Sequence, residues 1–266
     1  MSPATRYISK LQGKRLLVFG GSSGIGFGVA EAALEYGVDV VISSSNQSKL
    51  DKAIDRLRAG INPTNAPSIS SVVCNLAEAA TLKENITAAL ESATEGRTRL
   101  LDHVVFTAAS PIKLTALPDM TVEAVQETHL VRVVAPTILA SVLPNYIHKT
   151  AASSFTLTSG VNNYRPGPGW AVMASSGNAV DGLGRGLAVD LKPIRVNVVA
   201  PGAVHTELFS AYADDKLQAL LDSFKDKSLT GTVGRPEEVA EAYLYFMKNT
   251  FATGTVILAD GGMLLV

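Results

Sequence analysis

The sequence predicts an α/β protein: a doubly wound parallel seven-stranded sheet with helices on both faces, built as one domain over residues 1–266. Three observations carry this. Seven short apolar runs alternate with helical segments along the chain. A glycine-rich turn, Phe19-Gly20-Gly21-Ser22-Ser23-Gly24-Ile25-Gly26, joins the first run to the first helix, and no repeat or linker divides the 266 residues.

The first strand is Leu16-Leu17-Val18-Phe19, and Val29 to Leu34 then shows helical spacing without a breaker. Further strands are expected at Val38–Ser43, Ile69–Cys74, Leu100–Phe106, Ser154–Thr158, Ile194–Val199 and Thr255–Leu258. Helices are expected near Ser48–Ala59, Ala77–Ala93, Val122–His148, Ala171–Leu191 and Pro236–Lys248. Right-handed crossovers between parallel strands put such helices on both faces. Residues 201–235 fall outside the alternation and are expected to fold over the carboxyl edge of the sheet as a lid and substrate segment.

Composition excludes several classes. A net charge of -1 offers no basic footprint for nucleic acid, and Lys49 to Arg58 reads as a solvated helix face. Cys74 is the only cysteine, so no disulfide forms within the chain; a small core residue is the expected role, in a reducing compartment. Met1 to Arg15 lacks an apolar signal stretch, and charges or prolines interrupt every later apolar run, so a cytoplasmic protein without a membrane partner is expected. No metal site is read from the sequence.

The glycine turn carries the first chemistry. Gly20, Gly24 and Gly26 allow a tight turn and a close backbone approach to a pyrophosphate, whose charge the helix amides and dipole attract. The second strand ends in Ser43-Ser44-Ser45-Asn46-Gln47-Ser48-Lys49, without the carboxylate that would accept a ribose 2'-hydroxyl. Ser44, Ser45 and Asn46 supply donors and Lys49 a charge, which favours a 2'-phosphate and hence NADP(H) over NAD(H). The alternative is that Asn46 or Ser48 only caps the helix.

With Leu101-Asp102-His103-Val104-Val105, Arg195-Val196-Asn197-Val198-Val199-Ala200-Pro201-Gly202, Gly234-Arg235-Pro236-Glu237-Glu238-Val239-Ala240 and Asp260-Gly261-Gly262 in the same order, nearly the whole chain resembles the short-chain dehydrogenase/reductase family. That resemblance implies a Rossmann-type sheet. It also implies that Ser22, Ser23 and Ile25 help bind the phosphates, and that Asn75 and Leu76 lie at the adenine. Ala108 and Ala109 would lie beside a ribose, and Pro201, Gly202, Val204 and Thr206 would border the nicotinamide. Phe106-Thr107-Ala108-Ala109 departs from the usual Asn-Asn-Ala-Gly, and Asn75 stands for a customary Asp. A homo-oligomer, tetramer or dimer, paired through the helices at Val122–His148 and Ala171–Leu191, is likewise implied.

The catalytic pattern departs further. Family members keep Asn, Ser and a Tyr-X-X-X-Lys pair in which Lys lowers the Tyr pKa for proton transfer. Here Arg132, Gly160, Met173 and Gly177 stand at those positions. The Arg132-Val133-Val134-Ala135-Pro136 run, Tyr164-Arg165-Pro166-Gly167-Pro168-Gly169-Trp170 and the ending Gly261 to Val266 resemble a fungal subgroup, the reductase/Diels-Alderase enzymes of the malbrancheamide and paraherquamide pathways. Gly167 stands where that subgroup has an acidic residue.

Hydride delivery to an iminium leaves a neutral amine, so that step needs no acid. Arg132, always charged, is a candidate to polarise a carbonyl or enone oxygen; a structural ion pair is the alternative. His129, three residues earlier, is expected on the same helix face, either as a proton carrier or as an ordinary hydrogen-bonded residue. Trp170 and Met173 offer a soft apolar wall for a bulky aromatic small molecule, or belong to the core. Three classes follow: a reductase of an imine, iminium or conjugated electrophile, a cyclase or isomerase keeping the dinucleotide as scaffold, and a silent nucleotide-binding module.

Overall fold

Each apolar run becomes a strand: β1 (Arg15–Phe19), β2 (Asp39–Ser44), β3 (Ile69–Val73), β4 (His103–Phe106), β5 (Ser154–Thr158), β6 (Arg195–Pro201) and β7 (Val256–Ala259). The computed structural model describes residues 5–61, 66–112, 114–209 and 214–266, and its strands pair in parallel in the order β3-β2-β1-β4-β5-β6-β7. Chain order reverses between β1 and β4. In open α/β sheets the crevice at such a switch point, at the carboxyl ends of the strands, is where ligands sit.

Two apolar cores flank the sheet. On one face Leu16, Val18, Ile42 and Val199 meet α1 (Gly24–Glu35), α2 (Gln47–Ala59) and α8 (Pro236–Lys248) through Val29, Leu50, Tyr243 and Phe246. On the other, Leu17, Val104, Phe155 and Val198 meet α3 (Leu82–Ala93), α5 (Ala135–Val142) and α6 (Ala171–Asp190) through Ile86, Leu139 and Val180. Both faces of the central strands are covered, which is why these runs are apolar without alternation. Gly28 lets α1 and α8 touch, since a β-carbon there would stand 2.9 Å from the Pro236 carbonyl.

Several expected boundaries change. β4 begins only at His103, with Leu101 forming an isolated bridge to Ile147, and α3 starts at Leu82 rather than Ala77. The long helix expected over Val122–His148 is interrupted: α4 (Val122–His129) passes into a π-turn over Leu130–Val134 before α5. The cause is Pro136, which has no amide to give the Arg132 carbonyl and whose ring crowds it. The turn widens instead, and the Ala135 amide bonds to the Leu130 carbonyl five residues back. Residues 201–235 contain the end of β6, a short turn at Glu207–Phe209 and α7 (Asp214–Asp226), while 210–213 lie outside the described residues. No helix among the described residues is long and apolar enough to cross a membrane.

Candidate active site

At the carboxyl end of β1 the glycine turn is packed to the limit of its backbone. A β-carbon on Gly20, whose φ is +87°, would stand 2.7 Å from the Ala108 amide nitrogen. One on Gly26 would collide with the Gly20 carbonyl oxygen and Thr107 Oγ1. Thr107 in turn donates its hydroxyl to the Phe19 carbonyl at 3.0 Å, and the Gly20 amide bonds to Ser43 at 2.9 Å. The turn therefore brings β1, β2 and β4 together, with Ser22, Ser23 and Ile25 lying on it and α1 starting at Gly24. Ser23 caps α1 in an extended conformation with no side-chain hydrogen bond. A dinucleotide's phosphates fit this cradle of small residues and helix amides.

One carboxylate already reaches that end. Glu207 accepts the Gly24 amide hydrogen at 2.8 Å, with Arg56 of α2 at 3.7 Å from its other oxygen. A β-carbon on Gly24 would lie 3.3 Å from Thr206. The segment after β6 thus crosses the first turn of α1 and brings Thr206 to the glycine loop, near Pro201, Gly202 and Val204 at the same sheet edge. Gly202 is required by its neighbour: a β-carbon there would stand 2.8 Å from Asp260 Cα.

At the end of β2, Ser45, Asn46 and Lys49 are exposed and Ser44 is partly buried. Asn46 does cap α2, accepting the Lys49 amide at 3.0 Å, so the capping alternative describes its side chain here. Asn75 is exposed and accepts the Ala77 amide, while Leu76 is buried beside Cys74. Burial pushes the Cys74 thiol up to about 11, which keeps it protonated and inert. Ala108 is partly buried behind Gly20 and Ala109 is exposed.

The π-turn decides the position of Arg132. Among the described residues Arg132 makes no ion pair or hydrogen bond, so the ion-pair alternative finds no partner there. Desolvation draws its pKa below the ordinary guanidinium value, and Tyr243 of α8 is the titratable group that opposes this shift. That phenol, fully buried, shares a hydrogen bond of 2.7 Å with Thr158 Oγ1, which also bonds the Phe106 carbonyl at 2.8 Å. Burial holds Tyr243 well above the usual phenol value, against the opposing pull of Thr158 and Arg132. Tyr243 was missed by sequence reasoning, because nothing local marks a helix residue that reaches a strand end 85 positions away.

His129 ends α4 directly before the π-turn that holds Arg132. Its Nδ1 lies 2.9 Å from the Val125 carbonyl, which can only accept, so the free lone pair is on Nε2. Nε2 faces Ser175 Oγ at 3.4 Å, while that hydroxyl donates to the Val172 carbonyl at 2.8 Å. This is the ordinary hydrogen-bonded histidine.

Trp170 precedes α6 and its amide bonds to the Gly167 carbonyl at 3.2 Å; Met173 follows on the first turn, and both are partly buried. Beside them lies a cavity of about 410 Å³ lined by Thr115, Ala116, Leu117, Pro166, Gly167, Gly169 and Ala171. The loop bearing Trp170 is tied to α6 at its start, where the Tyr164 hydroxyl donates to buried Asp181 at 2.6 Å. Burial and then Asp181 push the Tyr164 phenol up to about 12. Among the described residues no cluster of three or more metal-ligating side chains occurs.

Known proteins are similar to this chain. A family model described as an SDR-like Rossmann domain matches residues 7–266. Short-chain dehydrogenase/reductase malC of Malbranchea aurantiaca is 42% identical over 265 residues, covering all of both chains. The solved structure of MalC Reductase/Diels-Alderase from that organism superposes with a TM-score of 0.93 over 98% of this chain and 100% of its own, at 41% identity. Short-chain dehydrogenase/reductase fsr5 of Gibberella fujikuroi is also 42% identical, again covering all of both chains. A short chain dehydrogenase from Burkholderia cenocepacia, solved in complex with NADP, has the same fold at 24% identity, with a TM-score of 0.80 over 96% of this chain and 99% of its own. With the glycine cradle, the parallel order of seven strands and full-length identity above 40% in agreement, the chain belongs to the short-chain dehydrogenase/reductase family.

Proposed function

We propose that this chain is an oxidoreductase of fungal secondary metabolism. In this reading it binds NADP(H) and reduces an imine, iminium or conjugated double bond of a bulky aromatic small molecule, without the Ser-Tyr-Lys acid of its family. The observation that carries the reading is Arg132: a desolvated cation within electrostatic reach of Tyr243, whose hydroxyl bonds Thr158 at the carboxyl end of β5, and with no carboxylate partner among the described residues. The cofactor supplies a hydride when bound. Gly20, Gly24 and Gly26 with Ser22, Ser23 and Ile25 hold its phosphates, and Ser44, Ser45, Asn46 and Lys49 meet the adenosine end. Asn75 and Leu76 lie at the adenine, Ala108 and Ala109 at a ribose, and Pro201, Gly202, Val204 and Thr206 along the nicotinamide.

Chemistry at Arg132 narrows the substrate. A fixed positive charge stabilises an oxygen that gains negative charge as the double bond is reduced, and it repels a free cation. An enone, or an imine conjugated to a carbonyl, suits it better than an isolated iminium. Met173 cannot donate a proton, Tyr243 is held neutral and buried, and His129 is engaged with Val125, so any proton added later comes from water. Trp170 and Met173 shape the apolar wall, and the adjoining 410 Å³ cavity takes the body of the substrate. Soluble cytoplasmic residence and a homo-oligomer complete the proposal.

A second reading has its own support: the solved relative is a reductase and Diels-Alderase, and an apolar cavity suits a cycloaddition substrate. Gly167, in place of the subgroup's acid, argues against it. Following absorbance of the reduced nicotinamide with a panel of cyclic imines and enones separates the classes. Consumption supports the reductase, product without consumption the cyclase, and binding without turnover a silent module.

A further inference from the structure

Position 177 is a glycine inside a helix, which ordinarily weakens the helix relative to alanine. Its neighbour explains it. A β-carbon built on Gly177 would overlap the outer atoms of Asn163, with Oδ1 and Cγ in direct collision and Nδ2 at 2.5 Å. The Asn163 amide therefore lies flat against the Gly177 backbone, in the space where any side chain at 177 would begin.

The surrounding bonds hold it there. The Asn163 amide nitrogen of the backbone bonds to the Gly160 carbonyl at 3.1 Å, and its own carbonyl accepts from Asn178 Nδ2 at 3.0 Å. The next residue, Tyr164, donates to Asp181 at 2.6 Å. Positions 177, 178 and 181 share one side of α6, so three successive attachments staple residues 163–164 to that side. Directly downstream, Pro166, Gly167 and Gly169 line the cavity, and Trp170 is the cap residue before α6. Asn163 Nδ2 is itself buried without a hydrogen-bond partner among the described residues, as are Ser159 Oγ and Ser176 Oγ nearby in sequence. A buried amide left short of a partner is retained at a cost, which is consistent with a positional role rather than a stabilising one.

We propose that Asn163 is a positioning residue, a plug seated on Gly177 that fixes the loop from Tyr164 to Trp170 over the substrate cavity. Gly177 and Asn163 then form a coupled pair: a side chain at 177, lysine included, must displace the amide from its slot. This assignment depends on neither the identity of the cofactor nor that of the substrate.

The single tryptophan of the chain, Trp170, reports the loop directly. Emission and acrylamide quenching of Trp170 are to be measured, with thermal melting, for the wild type and the Gly177→Ala, Asn163→Gly and Asn163→Gly/Gly177→Ala variants, without any ligand. Gly177→Ala is expected to shift Trp170 emission to the red and raise its quenching, although alanine is the better helix former. The double variant, where the methyl replaces the amide, is expected to return toward wild type. Unchanged emission in folded Gly177→Ala overturns the proposal. So does a double variant no closer to wild type than Gly177→Ala, including one that folds no better.

Discussion

The Glu207 carboxylate accepts the amide hydrogen of Gly24 at 2.8 Å, on the first residue of α1. An acid from the segment after β6 therefore sits at the helix end whose amides and dipole suit the phosphates of a dinucleotide. Phosphates of a bound cofactor would compete with Glu207 for the same positive potential.

Glu207→Gln should accordingly tighten NADP(H) binding, by about two- to fivefold at low ionic strength. Titration calorimetry at two salt concentrations checks it. Weaker or unchanged affinity at low salt would mean that Glu207 leaves the helix end for reasons unrelated to charge.

Gly26→Ala tests the cradle. Its β-carbon would collide with the Gly20 carbonyl oxygen and lie 2.9 Å from the carbonyl carbon, both of them backbone atoms that cannot swing aside. Overpacking of this kind costs about 1–3 kcal/mol, so the melting temperature should fall and cofactor binding should be lost. A variant that melts and binds like wild type would show that the turn relaxes more than its packing allows.

Removing the guanidinium separates catalysis from stability. Arg132→Ala should reduce turnover by about 10²–10³-fold, the effect of losing one preorganised positive donor. Its melting temperature should hold or rise, because an isolated desolvated charge is removed rather than half of a pair. A large drop in melting temperature with turnover intact would make Arg132 structural.

Acid stability turns on His103, which is buried on β4 with Nδ1 2.8 Å from Ser154 Oγ. Burial lowers its pKa from 6.5 to about 3, with Asp102 opposing and Arg195 and Lys14 assisting. The unfolded chain therefore binds more protons than the folded one between those values, and stability rises with pH across that window. The contribution is complete above pH 6.5 and is lost as the pH falls toward about 3. Melting curves of wild type and His103→Gln over this range should converge as the medium is acidified. Parallel curves would assign the acid loss to other groups.

Restoring the missing proton donor should take three substitutions rather than two. Met173→Tyr/Gly177→Lys is expected to stay inactive on simple ketones while Asn163 fills the slot, and adding Asn163→Gly is expected to yield ketone reduction with a new ionisation in the pH–rate profile. Ketone reduction by the two-substitution variant would contradict this.

Much of the fold was readable from periodicity. β5 and α8 lie where the apolar spacing puts them, and the other strands begin or end within a few residues of expectation, because apolar runs covered on both faces leave a strong local signal. The expected continuous helix from Val122 failed at the π-turn. Its cue, Pro136 four residues after Arg132, was present in the sequence but was outweighed by helical spacing on both sides. His129 accordingly ends one helix while Arg132 lies within the widened turn.

The sequence by itself determined the alternation of strands and helices, the glycine turn, and the absence of Tyr and Lys at 173 and 177, since each is written in neighbouring residues or in their order. Only the tertiary structure decided that Tyr243 bonds Thr158, that Asn163 lies on Gly177 and that Glu207 caps Gly24. Those pairs join residues as far as 183 positions apart. Contacts at such separations arise from how helices and loops converge on one edge of a twisted sheet, a geometry that no local spacing encodes.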